Sequence, residues 1–257
     1  MQLRRSLFIL PNLFTVSSIF CGFDAMRLLS TADSPAADPA RYRTAALLLV
    51  FAMFFDIIDG RVARLTRTQS AFGLQFDSLA DVISFGLAPS LLAWRWALAP
   101  LGDAGVAVCF IYVACGAIRL ARFNVLATRE HDAEARPGKY IVGLPIPGAA
   151  GMLIALVLAN DSVHGRLFAH ASGLALMMLT VSALMVSTVQ FRSFKDVQLT
   201  GWRPLAAIAA AVGSTVLVGT RLGPAFALPW LLGCYLAFGL VESALRVSRR
   251  PRATSRT

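Results

Sequence analysis

Charged side chains are scarce in this sequence. Asp, Glu, Lys and Arg make up 15% of the 257 residues, while apolar residues make up 57%. A soluble domain of ordinary composition carries about 25% charged residues. The mean hydropathy is +0.66 and the apolar residues form long runs. These features argue against a soluble globular domain and indicate a polytopic membrane protein.

Cysteine pairs and metal-binding histidine patterns are also missing. The chain has only three histidines, and none is spaced for a zinc site. Its cysteines form no CxxC pair and all lie in apolar runs, where they are expected to be small buried residues. These cysteines are Cys21, Cys109, Cys115 and Cys234.

The N-terminal apolar run lacks the features of a cleaved signal peptide. Pro11 and Asn12 interrupt it, no A-x-A site closes it, and Phe20 is unsuited to the box that precedes a lipoprotein cysteine. We therefore expect a first membrane segment that is retained.

Hydropathy predicts an all-α membrane helix bundle of about eight transmembrane helices. About twenty residues cross a 30 Å hydrocarbon core as a helix. A single membrane domain is expected over residues 1–247, followed by a basic, disordered tail over 248–257. The predicted helices are 6–29, 44–60, 74–94, 104–125, 143–160, 167–189, 205–220 and 225–246.

The basic residues are distributed unevenly between the two sides of this predicted bundle. Of the 24 Lys and Arg residues, 18 fall in segments on the side of the N-terminus and six on the other side. Cytoplasmic loops carry such an excess, so both termini are predicted in the cytoplasm and the protein in the inner or plasma membrane. The excess also accounts for the net charge of +10 without nucleic acid, for which no aromatic-basic motif is present.

Four aspartates between Phe55 and Pro89 lie in membrane segments or at their ends. Asp56 and Asp59 are three residues apart, and Asp77 and Asp81 are four apart, so each pair shares a helix face. No Lys or Arg lies three or four residues from any of the four, and like charges so placed repel. Two facing pairs would hold two divalent cations, Mg²⁺ or Mn²⁺, through oxygen ligands. The alternative is ion pairing with arginines of other helices.

Small and basic residues accompany these acids. Gly60 and Gly73 permit a nucleotide or another helix to approach the backbone closely. Arg61 and Arg64 are suited to binding phosphate, and the spacing favours Arg64.

The full pattern is Asp56-x2-Asp59-Gly60-x2-Ala63-Arg64-x8-Gly73-x3-Asp77-x3-Asp81. It resembles the signature of the CDP-alcohol phosphotransferase family, whose core has six membrane helices. The resemblance implies that the four aspartates bind two metal ions, that Asp81 is the catalytic base, and that the protein forms a homodimer. It also implies contacts of Gly60, Arg64 and Ser70 with the CDP-lipid. The Asn-x-x-Thr motif of the first helix, here Asn12 and Thr15, also recurs in the family. The resemblance adds these two residues and Gly73 to the predicted contacts with the CDP-lipid.

Further motifs are similar to the phosphatidylserine synthase branch of that family. They are Ser78–Pro89, Arg119-Leu-Ala-Arg122-Phe-Asn124 and Gly143–Pro147. The resemblance implies transfer of a phosphatidyl group from CDP-diacylglycerol to L-serine. Arg119, Arg122 and Asn124 are predicted at the cytoplasmic end of the fourth helix, where arginines would suit the serine carboxylate.

Alternatives remain open at this point. Arginines would equally suit glycerol 3-phosphate or inositol phosphate as acceptor, and the alternative interpretation is that they are only cytoplasmic anchors. An ion transporter is the rival class, but such proteins often carry acids in both halves near the membrane midplane. Here the four acids lie in one segment, with no counterpart after residue 150.

Overall fold

A computed structural model describes residues 2–66, 68, 70–132, 140–162, 171–192 and 202–248. The predicted tail, 248–257, lies outside these residues except for Ser248. In the described part of the chain the fold is an all-helical bundle with one short ribbon. Eight long helical segments match the eight predicted spans, with ends that differ by a few residues.

The long segments other than the third are regular α-helices apart from their ends. They are α1 (Gln2–Ser30), α2 (Pro39–Leu65), α5 (Asp103–Asp132), α6 (Ile146–Ser162), α7 (Ala171–Val186), α8 (Trp202–Leu222) and α9 (Ala227–Ser248). A 3₁₀ turn, Pro224–Phe226, leads into α9.

The third segment, residues 71–101, is a composite helix. It consists of α3 (Ala71–Asp81), a π-helical segment (Val82–Leu87), α4 (Ala88–Ala93), a second π-helical segment (Trp94–Leu98) and a 3₁₀ turn (Ala99–Leu101). Hydropathy predicts a helix here but not the two π-helical segments, because their geometry depends on individual backbone hydrogen bonds.

A two-stranded antiparallel ribbon is a second feature of the described chain that hydropathy does not predict. Strand β1 (Tyr140–Val142) pairs with β2 (Gln190–Arg192). Gly143 follows β1 with φ of +79°, and a Cβ there would lie 2.4 Å from the carbonyl oxygen of Met185. Only glycine fits this turn. Strands of three residues are too short to show an alternating pattern.

Contacts between helices fix the direction of the bundle. Phe14 of α1 stacks on Phe55 of α2 at 6.4 Å, while the other ends of these helices are joined by residues 31–38, so α1 and α2 are antiparallel. Helix α5 is antiparallel to the composite helix in the same way. The end of α2, the start of α3 and the end of α5 therefore meet at one end of the bundle.

The surface of the bundle is suited to lipid. Three described helical segments are long and apolar enough to cross a membrane, namely Pro11–Ser30, Ala71–Leu101 and Asp103–Leu126, and four shorter apolar helices accompany them. Large apolar side chains point outwards, for example Phe20 at 64% and Phe110 at 70% exposure. A protein with this surface is an integral membrane protein.

Candidate active site

The four aspartates come together at the end of the bundle where α2 finishes and α3 starts. Asp56 and Asp59 lie in the last turns of α2, and Asp77 and Asp81 lie in α3. Ser70 caps α3 by accepting a hydrogen bond of 3.0 Å from the Gly73 amide, which fixes where this helix begins.

One carboxylate oxygen from each of Asp56, Asp59 and Asp77 lies within 4.8 Å of the other two. Asp81 joins the cluster because its carboxyl group lies in close contact with that of Asp56. Asp59 and Asp81 are buried, at 5% and 8% exposure. Two ionised carboxylates make such a contact only through a shared proton or a cation.

The surroundings of the cluster fit divalent cations. In the part of the chain that the structure describes, the ion pairs are Arg27 with Asp24, Arg41 with Asp38 and Arg43 with Asp161, so none involves the four acids. The Oδ1 atom of Asp81 is buried and lacks a hydrogen-bond partner. A buried carboxylate oxygen without a donor is costly, and a hard cation would satisfy it.

Among the described residues, Arg119 is the basic residue that interacts electrostatically with Asp81. It lies in α5, close enough to Asp81 for an electrostatic interaction, and interacts in the same way with Tyr235 of α9. Its guanidinium carbon lies 5.9 Å from the ring centre of Phe123, and its buried Nε has no hydrogen-bond partner. Arg119 therefore presents an unused donor beside the acid cluster, whereas Arg122, one turn further on, is exposed.

Thr15 contacts an acid of the cluster directly. This residue of α1 is 4% exposed, and its hydroxyl donates to Asp59 Oδ2 at 2.8 Å. The structure gives the hydroxyl a carboxylate partner, and the contact of Thr15 with the CDP-lipid that the resemblance implies stays a prediction. Such a bond holds one oxygen of Asp59 in place and leaves the other available to a cation.

Replacing Thr15 with Val is expected to weaken divalent-ion binding about tenfold, because it removes the hydroxyl that orients Asp59 and keeps the side-chain shape. The measurement is a Mn²⁺ titration of the purified protein followed by electron paramagnetic resonance. The control is Thr44→Val, which removes a hydroxyl that bonds only to the Ala40 carbonyl of its own helix, at 2.9 Å. Equal affinities for Mn²⁺ in both variants would contradict this role of Thr15.

Asn124 joins α5 to α3 beside the cluster. Its Nδ2 donates to Gln75 Oε1 at 3.0 Å and to Ser78 Oγ at 2.9 Å, and the side chain is 7% exposed. Gln75 and Ser78 lie on either side of Asp77 in the sequence. Asn124 therefore helps to hold the helix that carries two of the acids, and the sequence pattern alone gave no indication of its partners.

The other predicted contacts of the CDP-lipid lie around the cluster. Arg64 folds back so that its guanidinium would be 3.8 Å from a Cβ placed on Gly60, and the Arg64 side chain is exposed. Asn12 is half-buried, one turn before Thr15 on α1. A Cβ on Gly73 would lie 3.2 Å from Ser70 Oγ, so the tight start of α3 favours glycine there.

Comparison with known proteins identifies the family. The model of the CDP-alcohol phosphatidyltransferase family matches residues 8–187, which include all four aspartates and reach from α1 to the end of α7, the sixth of the eight long helical segments. This chain belongs to the CDP-alcohol phosphatidyltransferase family.

Several members of this family with serine-related names are similar to the chain. A CDP-diacylglycerol–serine O-phosphatidyltransferase of Helicobacter pylori (strain ATCC 700392 / 26695) is 39% identical over 92% of this chain and 91% of its own length. The protein of that name in Bacillus subtilis (strain 168) is 31% identical over 72% of this chain and 91% of its own length. An archaetidylserine synthase of Methanothermobacter thermautotrophicus is 35% identical over 71% of this chain and 69% of its own length.

Proposed function

We propose that the protein transfers a phosphatidyl group from CDP-diacylglycerol to L-serine, giving phosphatidylserine and CMP. The observation that carries this proposal is the cluster of four carboxyl groups at one end of a membrane bundle, in a chain of this family. The names of the relatives support serine as the acceptor, and their similarity extends over 92% of the chain.

The four aspartates would hold two divalent cations, Mg²⁺ or Mn²⁺. Oxygen ligands at the ends of two helices, one of them without a hydrogen-bond partner, are the donor set that such hard ions prefer. Divalent ions held by these residues would supply neutralisation of the negative charge on the pyrophosphate of the CDP-lipid.

Asp81 is the catalytic base of the proposed reaction. It accepts the proton of the serine hydroxyl, and the oxygen then attacks the phosphorus that carries the diacylglycerol. The new P–O bond replaces the bond to CMP, which leaves with the electron pair. Burial of Asp81 supports this role because it keeps bulk water from taking the place of the serine hydroxyl.

The remaining residues bind the two substrates. Arg64 and the backbone at Gly60 and Gly73 bind the nucleotide and its phosphates, with Asn12 and Ser70 at the edge of the same site. A lipid and a dissolved amino acid must meet at a membrane surface. The excess of basic residues on the side of the N-terminus supports a cytoplasmic location for this surface and for both termini.

Arg119 and Arg122 would bind the carboxylate of serine, with Asn124 supporting them through α3. Arg119→Gln is expected to raise the KM for serine tenfold or more, since a charge-assisted hydrogen bond contributes about 1.5–3 kcal/mol. Arg122→Gln is the matched comparison and should have the smaller effect because its side chain is exposed. Steady-state kinetics at saturating CDP-diacylglycerol measure both, and an unchanged KM for serine in Arg119→Gln would contradict the assignment.

The test of the proposed function is an acceptor comparison with the full-length protein in detergent micelles. CMP release from CDP-diacylglycerol is measured with Mg²⁺ or Mn²⁺ while serine, glycerol 3-phosphate or inositol phosphate is offered separately. Serine should support release at least tenfold faster than either phosphate compound. Faster release with glycerol 3-phosphate or inositol phosphate would assign a different acceptor, and no release with any of them would refute the reaction. The size of the purified protein in micelles tests the expected homodimer.

A further inference from the structure

The chain enters a π-helical segment immediately after Asp81. The Ala88 amide donates to the Ile83 carbonyl, five residues earlier, instead of the usual four. Pro89 explains this change, because proline has no amide hydrogen and its ring would collide with the carbonyl of Phe85 in a regular helix. The backbone widens to avoid the collision.

Because residue 89 is proline, the Phe85 carbonyl also lacks the amide donor that it would have in a regular helix. The hydroxyl of Tyr112, from α5, donates to that oxygen at 3.0 Å. Both Tyr112 and Phe85 are completely buried, at 0% exposure. Without this bond, the Tyr112 hydroxyl would be buried without a partner, which is costly in a water-free interior.

The opposite side of the π-helical segment is held by α1. Ser84 donates to the Ser18 carbonyl at 3.1 Å. The two backbones are so close that a Cβ on Gly22 would lie 3.0 Å from the Ser84 Cα atom. The segment that follows Asp81 is thus fixed between α1 and α5.

The direction of the Asp81 carboxylate depends on the backbone of this π-helical segment. Its Oδ1 has no hydrogen-bond partner, and the side chain in close contact with it is another acid, Asp56. Among the residues that the structure describes, no neutral donor holds this carboxylate from outside the cluster. The rotation of α3 about its own axis is set at Phe85, one turn after Asp81. This rotation therefore determines where the side chains of Asp77 and Asp81 point.

We propose that Tyr112 is a positioning residue, whose hydroxyl holds the π-helical segment at Phe85 and so directs Asp81 and Asp77 towards the acids of α2. This inference rests on the proposed two-cation site. It extends the functional residues to a tyrosine that does not touch the acid cluster. Short π-helical segments often occur at functional sites, where they set side-chain directions.

Tyr112→Phe tests the proposal because it removes one hydroxyl and keeps the buried ring. Mn²⁺ binding to the full-length protein, measured by electron paramagnetic resonance without substrate, should weaken about tenfold. The Mg²⁺ concentration for half-maximal CMP release should rise by a similar factor.

Tyr42→Phe is the matched control. Tyr42 is also buried, at 3% exposure, and its hydroxyl donates to the carbonyls of Asp33 and Arg95 at the opposite end of the bundle. It should lower the thermal midpoint to a similar degree and leave Mn²⁺ binding unchanged. A loss of thermal stability in both variants without any difference in Mn²⁺ binding would make Tyr112 merely structural and overturn the proposal.

Ser84→Ala provides a second measurement if Tyr112→Phe does not fold. It releases the same segment from α1 and should also weaken Mn²⁺ binding, while unchanged binding would contradict the proposal.

The substrate assay distinguishes the proposed role of Tyr112 from the proposed reaction. A wild-type protein that binds Mn²⁺ but releases no CMP would refute the proposed reaction and leave the comparison of Tyr112→Phe with Tyr42→Phe intact.

Discussion

Replacing Asp77 with Asn is expected to reduce CMP release by about a thousandfold or more, equivalent to a barrier higher by about 4 kcal/mol. The amide has the size of the carboxylate but lacks its charge, so the cluster loses a quarter of its negative charge and one anionic ligand. Mn²⁺ titration should show that at least one ion is no longer bound at micromolar concentration. The same sample reports folding through its thermal midpoint.

Asp24→Asn is the control for this experiment. Asp24 also lies on a membrane helix, but it pairs with Arg27 at 2.6 Å, three residues further along α1, as its spacing predicts. Its loss should leave Mn²⁺ binding and CMP release within twofold of the wild type, because a surface ion pair contributes at most about 1 kcal/mol to stability. Normal Mn²⁺ binding by Asp77→Asn would contradict the two-cation site.

Asp81→Asn is expected to separate turnover from binding. Loss of a general base lowers the rate by about 10² to 10⁴. The affinity for CDP-diacylglycerol should change only a few-fold, because Asp56, Asp59 and Asp77, whose oxygens lie within 4.8 Å of one another, all remain to bind a cation. The turnover number is measured at saturating serine, and binding of the CDP-lipid is measured by calorimetry in micelles.

Asp77→Asn supplies the comparison for Asp81→Asn. The Asp77 variant should lose CDP-lipid affinity and turnover together, since it acts only through the bound ions. If Asp81→Asn also loses both to the same extent, Asp81 is a metal ligand and not the base. A carboxylate that binds a cation is a weak base, so this experiment decides whether Asp81 performs both roles.

The sequence predicted the bundle because membrane helices have a strong local signal. Each of the eight predicted spans overlaps one long helix, since an apolar run of about twenty residues has few other stable structures in lipid. The sequence also predicted that the four aspartates lie close together. Spacings of three and four residues put each pair on one helix face, and the lack of nearby basic residues indicated that a cation must compensate them.

Several features of the site were not predictable from local patterns. Thr15 and Asp59 are 44 residues apart, and Ser78 and Asn124 are 46 apart, so their hydrogen bonds depend on how the helices pack. A threonine on an apolar helix bonds most often to its own backbone, and Thr15 does this as well, through the Pro11 carbonyl. The second acceptor, the Asp59 carboxylate, lies within reach of Thr15 only because α1 packs against α2.

The amino-acid sequence by itself determined the membrane class, the eight helices and the pairing of four acids, because hydropathy and helical periodicity act over a few turns. The tertiary structure alone decided the hydroxyl that orients Asp59, the half-buried Arg119 beside Asp81, and the tyrosine that donates to the Phe85 carbonyl. Pro89 signals a disturbed helix in the sequence, but the partner of the freed carbonyl lies 27 residues away on another helix. The relative rotation of packed helices selects that partner, and no short sequence window contains this information.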